Sequence, residues 1–99
     1  MRRGEVRLAD LDPTRGSEAS KRRPAIIVSN DRANVTAARL RRGVVTVVPL
    51  TSNVTRIFPF QVSLPANLAG LRMDSKVQCE QIRSIAVERL GPVLSTLPG

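Results

Sequence analysis

The chain has no histidine, no tryptophan and no tyrosine, a single cysteine, Cys79, and only two aromatic residues, Phe58 and Phe60. Each gap removes a class of chemistry. Without histidine there is no Ser-His-Asp triad, no imidazole acid/base pair and no histidine-ligated metal. One cysteine forms neither an internal disulfide nor a cysteine-based zinc site within one chain. Strand-displayed aromatic platforms that stack bases are not expected from two phenylalanines. No apolar run is long enough to cross a bilayer, and the basic start Met1-Arg2-Arg3-Gly4-Glu5 lacks the apolar stretch of a signal peptide, so we expect a cytoplasmic protein with no membrane contact.

What is present is positive charge. Lys and Arg number 16 against 8 Asp and Glu, giving a net charge of +8. Residues 13–42 concentrate it: Arg15, Lys21, Arg22, Arg23, Arg32, Arg39, Arg41 and Arg42 face only Glu18 and Asp31. A field of this kind attracts polyanions and speeds their encounter, so a nucleic acid or an acidic protein is the natural partner. A GC-rich coding bias toward arginine is the bland alternative.

With 99 residues, no repeat and no low-complexity tract, the chain reads as one domain, 1–99, with a modest core that a second copy would help to cover. Glu5–Leu11 reads as a strand, and residues 14–23 as a Gly/Ser/charge-rich loop. Ala25–Val28 is a short β-branched run expected to be buried on both faces. Asn30 or Asp31 caps a helix reaching about Arg42, with Val35 and Ala38 inward and Gly43 as its stop. Val44–Leu50 is another buried strand, with Pro49 at its end or on an edge. Phe58, Phe60, Val62 and Leu64 alternate with polar residues as a half-buried strand. Pro65 to Gly70 is one helical turn. Alternation resumes from Val77 through Cys79 to Gln81, a short turn spans Ala86–Leu90 and ends at Gly91, and Val93–Leu97 is a last strand. Short strands with little helix make a mainly β domain, a small barrel.

Three segments carry polar groups that such a fold does not need. They are Gly16-Ser17-Glu18 with Arg22-Arg23-Pro24, Thr51-Ser52-Asn53 at a strand end, and Glu80-Gln81-Ile82-Arg83. Singly these are a solvated loop, a turn and a salt-bridged strand surface. In a small barrel, strand-loop junctions gather at one end and build a site. Asp10 and Asp12 are the only other close carboxylates, and Asp12-Pro13 is explained as a turn, so no metal is expected.

Taken in order, these motifs resemble the MazF/PemK toxin family. The resemblance runs through Gly4-Glu5-Val6, Ala9 to Pro13, Gly16-Ser17-Glu18, Arg23 to Asp31, Pro49 to Asn53, Gly70-Leu71, Glu80 to Arg83 and Arg89-Leu90. It implies a small SH3-like barrel with short helices (the MazF/CcdB-like toxin fold), a homodimer, and sequence-specific, cofactor-free and metal-independent cutting of single-stranded RNA by the toxin of a toxin–antitoxin system. An acidic antitoxin would hold it inactive. Residue by residue, it implies catalytic roles for Arg23, Thr51 and Glu18 and an RNA-holding role for Gln81. Ser17, Arg22, Ser52, Asn53 and Arg83 are the further RNA-binding candidates. The family's usual C-terminal helix is expected to be missing from this chain.

The chemistry agrees with these roles. RNA carries its own nucleophile, the 2′-hydroxyl, so the protein must align that group and stabilise charge on the phosphorane. Arg23 supplies a fixed cation with a planar fork of donors, and Thr51 a neutral hydrogen bond. A guanidinium is a poor base near neutral pH, which makes Glu18 chemically the better base, whereas the resemblance also allows an acid/base role for Arg23; both assignments stay open. Two rivals differ in class. A non-catalytic nucleic-acid-binding SH3-like barrel would have no need of Arg23 and Thr51 at one site. A gyrase-directed toxin of related fold depends on a tryptophan that this chain lacks.

Overall fold

The computed structural model describes residues 1–11 and 22–97. Seven strands, two short helices and two single 3₁₀ turns follow one another: β1 (Glu5–Asp10), β2 (Arg22–Ile27), α1 (Asp31–Leu40), β3 (Val44–Thr51), β4 (Val62–Leu64), α2 (Ala66–Ala69), β5 (Ser75–Val77), β6 (Arg83–Ala86) and β7 (Leu90–Thr96). All pairings are antiparallel, in the order β4-β5-β3-β2-β1-β7, and β6 also pairs with β3. The domain is mainly β, as the short apolar runs required.

Two apolar clusters lie on opposite faces of the central strands. Ala9, Leu11, Ala25, Ile27, Val45, Val47, Ile85 and Val87 form one, with Ala37 of α1 packed on it. Val6, Ile26, Val48, Leu50 and Val77 form the other, joined by Leu64, Leu71 and Leu97. In β2 and β3 neighbouring residues alternate between the clusters, which is why these strands read as continuous apolar runs rather than alternating ones. A strand with both sides buried has no polar side to display.

Helix α1 begins as expected, the Asn30 side chain accepting from Ala33 N–H at 2.9 Å. It ends at Leu40, three residues before Gly43: Arg41 takes the left-handed conformation (φ 52°) and Arg42 N–H closes on Ala37 O at 3.3 Å. Its inward residues are also corrected. Asn34 and Ala37 are buried, whereas Val35 is 47% exposed. Asn34 can point inward because its polar atoms are satisfied. Its amide donates to Ser29 O at 2.9 Å, and its side-chain oxygen accepts from the Ser29 hydroxyl. Asn34→Ala should therefore cost about 1–3 kcal/mol in urea unfolding, because it removes both bonds to the half-buried Ser29 and leaves a gap where the buried Asn34 side chain stood.

Other expectations change for equally local reasons. Strand β2 starts at Arg22, inside what reads as loop, because Arg22 and Arg23 pair with Asp10 and Ala9 of β1. The predicted strand over Phe58–Leu64 shrinks to Val62–Leu64, of which only Leu64 packs on the core. Gln61 is buried and Val62 is 53% exposed. The Gln61 side chain makes this possible by accepting from Phe58 N–H at 3.1 Å and donating to Glu80 at 2.8 Å. Alternation through Val77, Cys79 and Gln81 is not a strand either: β5 ends at Val77, and Cys79–Gln81 is a 3₁₀ turn. The last strand starts earlier than predicted, at Leu90, and runs through Gly91 along β1. Pro65 and Gly70 do bracket α2, with Gly70 in the left-handed region (φ 67°).

Proline placement shapes the middle of the sheet. Pro49 lies inside β3, not at its end, and is fully buried. Its carbonyl accepts from Gln78 N–H at 3.0 Å, so its nitrogen also faces that side, where β6 has ended at Val47 and β5 begins at Leu50. No ladder bond is lost there.

Candidate active site

The β2–β3 ladder runs through Ile27↔Val47, Ile26↔Val48 and Ala25↔Pro49, then stops. Val28 N–H donates to Thr46 O at 2.9 Å, so the even-numbered residues of β2 direct their backbone groups toward β3. The next such position beyond Ile26 is Pro24, which has no N–H to offer Leu50. The two strands part there, and a cleft of about 550 Å³ opens between them.

Following the same register two residues past Ala25↔Pro49 places Arg23 across from Thr51 on one side of the sheet. Both line the cleft, together with Pro24, Leu50 and Ser52. The far wall is Gly70-Leu71-Arg72-Met73, with Ser75 and Leu94. Arg23 and Thr51, from separate stretches of backbone, thus line one opening. Thr51 and Arg23 are both half-buried, held by strand rather than loop. The Thr51 hydroxyl oxygen accepts from Asn53 N–H at 3.2 Å, which leaves its O–H available as a donor. Gly70 is confined to its conformation by a second constraint: a Cβ there would stand 2.8 Å from the Ser95 hydroxyl.

The other sequence candidates divide between undescribed residues and positions away from the cleft. Ser17 and Glu18 fall outside the described residues. Arg22 stands opposite Asp10 and reaches over Gly91. The Asn53 side chain accepts from Thr55 N–H at 3.4 Å, within its own loop. Gln81 sits half-buried in the 3₁₀ turn, and Arg83 is opposite Val47 with its guanidinium on Leu11 O at 3.4 Å. None of these four lines the cleft. Sequence reasoning missed Arg72, an exposed cation on the far wall. Its only signal was adjacency to Gly70-Leu71.

Comparison with known proteins shows the family of the chain. Residues 2–99 match the family of PemK-like, MazF-like toxins of type II toxin–antitoxin systems. The chain belongs to that family. Endoribonuclease MazF9 of Mycobacterium tuberculosis is 66% identical over 90 residues, covering 91% of this chain and 76% of that protein. Among solved structures, MazF from Deinococcus radiodurans superposes with a TM-score of 0.80 at 27% identity, over 99% of this chain and 82% of the other. A mycobacterial endoribonuclease in complex with its cognate antitoxin gives 0.69 at 25% identity, over 99% and 80%. The MazF-like fold expected from the motifs is the fold observed.

Proposed function

We propose that this MazF-family toxin is an endoribonuclease that cuts single-stranded RNA at the cleft between β2 and β3. The observation that carries this reading is the convergence of Arg23 and Thr51 on one opening. Substrate RNA supplies the 2′-hydroxyl nucleophile, and the protein supplies alignment and charge. Arg23 donates to the non-bridging oxygens as negative charge builds on the phosphorane, and Thr51 adds a neutral donor to the same group. Neither group is a good proton acceptor, so Glu18 is assigned as general base. No step calls for a metal ion.

Arg72 on the opposite wall suits the phosphate of a flanking nucleotide. An acidic antitoxin would compete for the same positive opening, as charge complementarity with a +8 protein requires. A second copy would cover Ile57, Val62, Leu68 and Met73, large apolar side chains exposed by 41–62%. Among the described residues no helix is long and apolar enough to cross a membrane. A cytoplasmic site of action fits the RNA substrate.

The product ends test the mechanism. Incubating a mixed RNA pool with the protein in EDTA should leave a 2′,3′-cyclic phosphate on one fragment and a 5′-hydroxyl on the other. A free 3′-hydroxyl would point to attack by water and overturn the assignment, and binding without cutting would support the non-catalytic barrel.

A further inference from the structure

The loop between β3 and β4 carries a structure that this mechanism does not use. Phe58 and Phe60 stack with ring centroids 5.4 Å apart and planes within 2°. The Arg56 guanidinium lies 4.6 Å above the Phe58 ring and the Lys76 amine 5.8 Å from it. Both aromatic residues of the chain are spent on this one cluster, and Phe60 is 53% exposed. Core rings would not be placed so.

The cluster is held firmly. Lys76 is 8% exposed and donates to Arg56 O at 2.7 Å. Gln61 N–H donates to Phe58 O at 2.9 Å while the Gln61 side chain accepts from Phe58 N–H. The loop is therefore pinned before and after the first ring, and the stack is preformed. Its position follows from register. Lys76 is the cross-strand partner of Thr51 in the β3–β5 ladder, and Thr51 continues the row from Arg23. Adjacent strands are about 4.8 Å apart, so Lys76, whose amine reaches the Phe58 ring, stands one strand beyond Thr51 along that row.

Building on the ribonuclease reading, we infer that Phe60 is a stacking platform for one base of the substrate flanking the scissile phosphate, with Arg56 serving the adjoining phosphate. A preformed π-face beside two cations matches what single-stranded RNA presents, a base face and a charged backbone in alternation. Two rings cannot form an extended platform. One base is what they fit.

Phe60→Leu keeps the apolar volume and removes the ring. It should raise KM for a short RNA substrate by about 5- to 150-fold, the usual range per stacked base, with kcat nearly unchanged. Phe60→Trp should retain wild-type KM and introduces the protein's sole tryptophan. Its emission should be quenched saturably by an RNA carrying 2′-O-methyl groups, and left unchanged by polyphosphate, which has charge but no bases. An unaltered KM in Phe60→Leu, or quenching by polyphosphate equal to that by RNA, overturns the inference while leaving the ribonuclease reading intact. Emission that responds to protein concentration and not to RNA also overturns it, by assigning Phe60 to a contact between copies. Failure of the unaltered protein to cut any RNA removes the underlying reading itself.

Discussion

Arg23→Ala should lower the rate of RNA cleavage by at least about 10²–10³-fold, the cost of removing one donor aimed at developing charge. The far-ultraviolet circular dichroism should be unchanged, because Arg23 belongs to neither apolar cluster. Most of the loss should appear in kcat, since the phosphorane carries more charge on its oxygens than the ground-state diester does. Arg23→Lys should recover only part of it: an ammonium restores the charge but not the planar pair of donors. The decisive measurement is single-turnover cleavage of a labelled oligonucleotide at saturating enzyme. A wild-type rate in Arg23→Ala would remove this residue from the chemistry.

Ile27→Ala should destabilise the fold by about 2–5 kcal/mol, combining lost transfer energy with the cavity left behind. Ile27 is fully buried in the cluster beneath α1. Against a total stability of about 5–15 kcal/mol for a domain of this size, that is a large share. The urea midpoint should fall with the slope unchanged. Val35→Ala is the contrasting case. The sequence pattern counts Val35 as core, but it is half exposed, and its replacement should move the midpoint by no more than about 0.5 kcal/mol. Comparable losses at both positions would contradict the burial described for α1.

The strand sequence was legible where burial leaves a direct mark. Ala25-Ile26-Ile27 and Val47 to Leu50 announce strands covered on both faces, and Pro65 with Gly70 announces one helical turn. Asn30 announces a cap. Legibility failed where a polar side chain was satisfied internally. Asn34 and Gln61 are buried because each finds partners in its own neighbourhood, and hydrophobic pattern alone assigns such residues to the surface. It failed again where Arg41 takes a conformation ordinarily left to glycine. Of the site, Arg23 and Thr51 could be nominated from motif and chemistry, but their meeting depends on a strand register that neither segment contains by itself. Arg72 carried no local signal, and the stack of Phe58 on Phe60 was hidden because an alternating pattern reads as strand.

The ring closure of Pro24 has a consequence for binding. Where β2 and β3 part, Pro24 has no backbone hydrogen with which to extend the ladder to Leu50. No rotamer change or ligand contact can supply that hydrogen. An incoming strand therefore breaks no Pro24 N–H bond to reach the opening lined by Arg23 and Thr51.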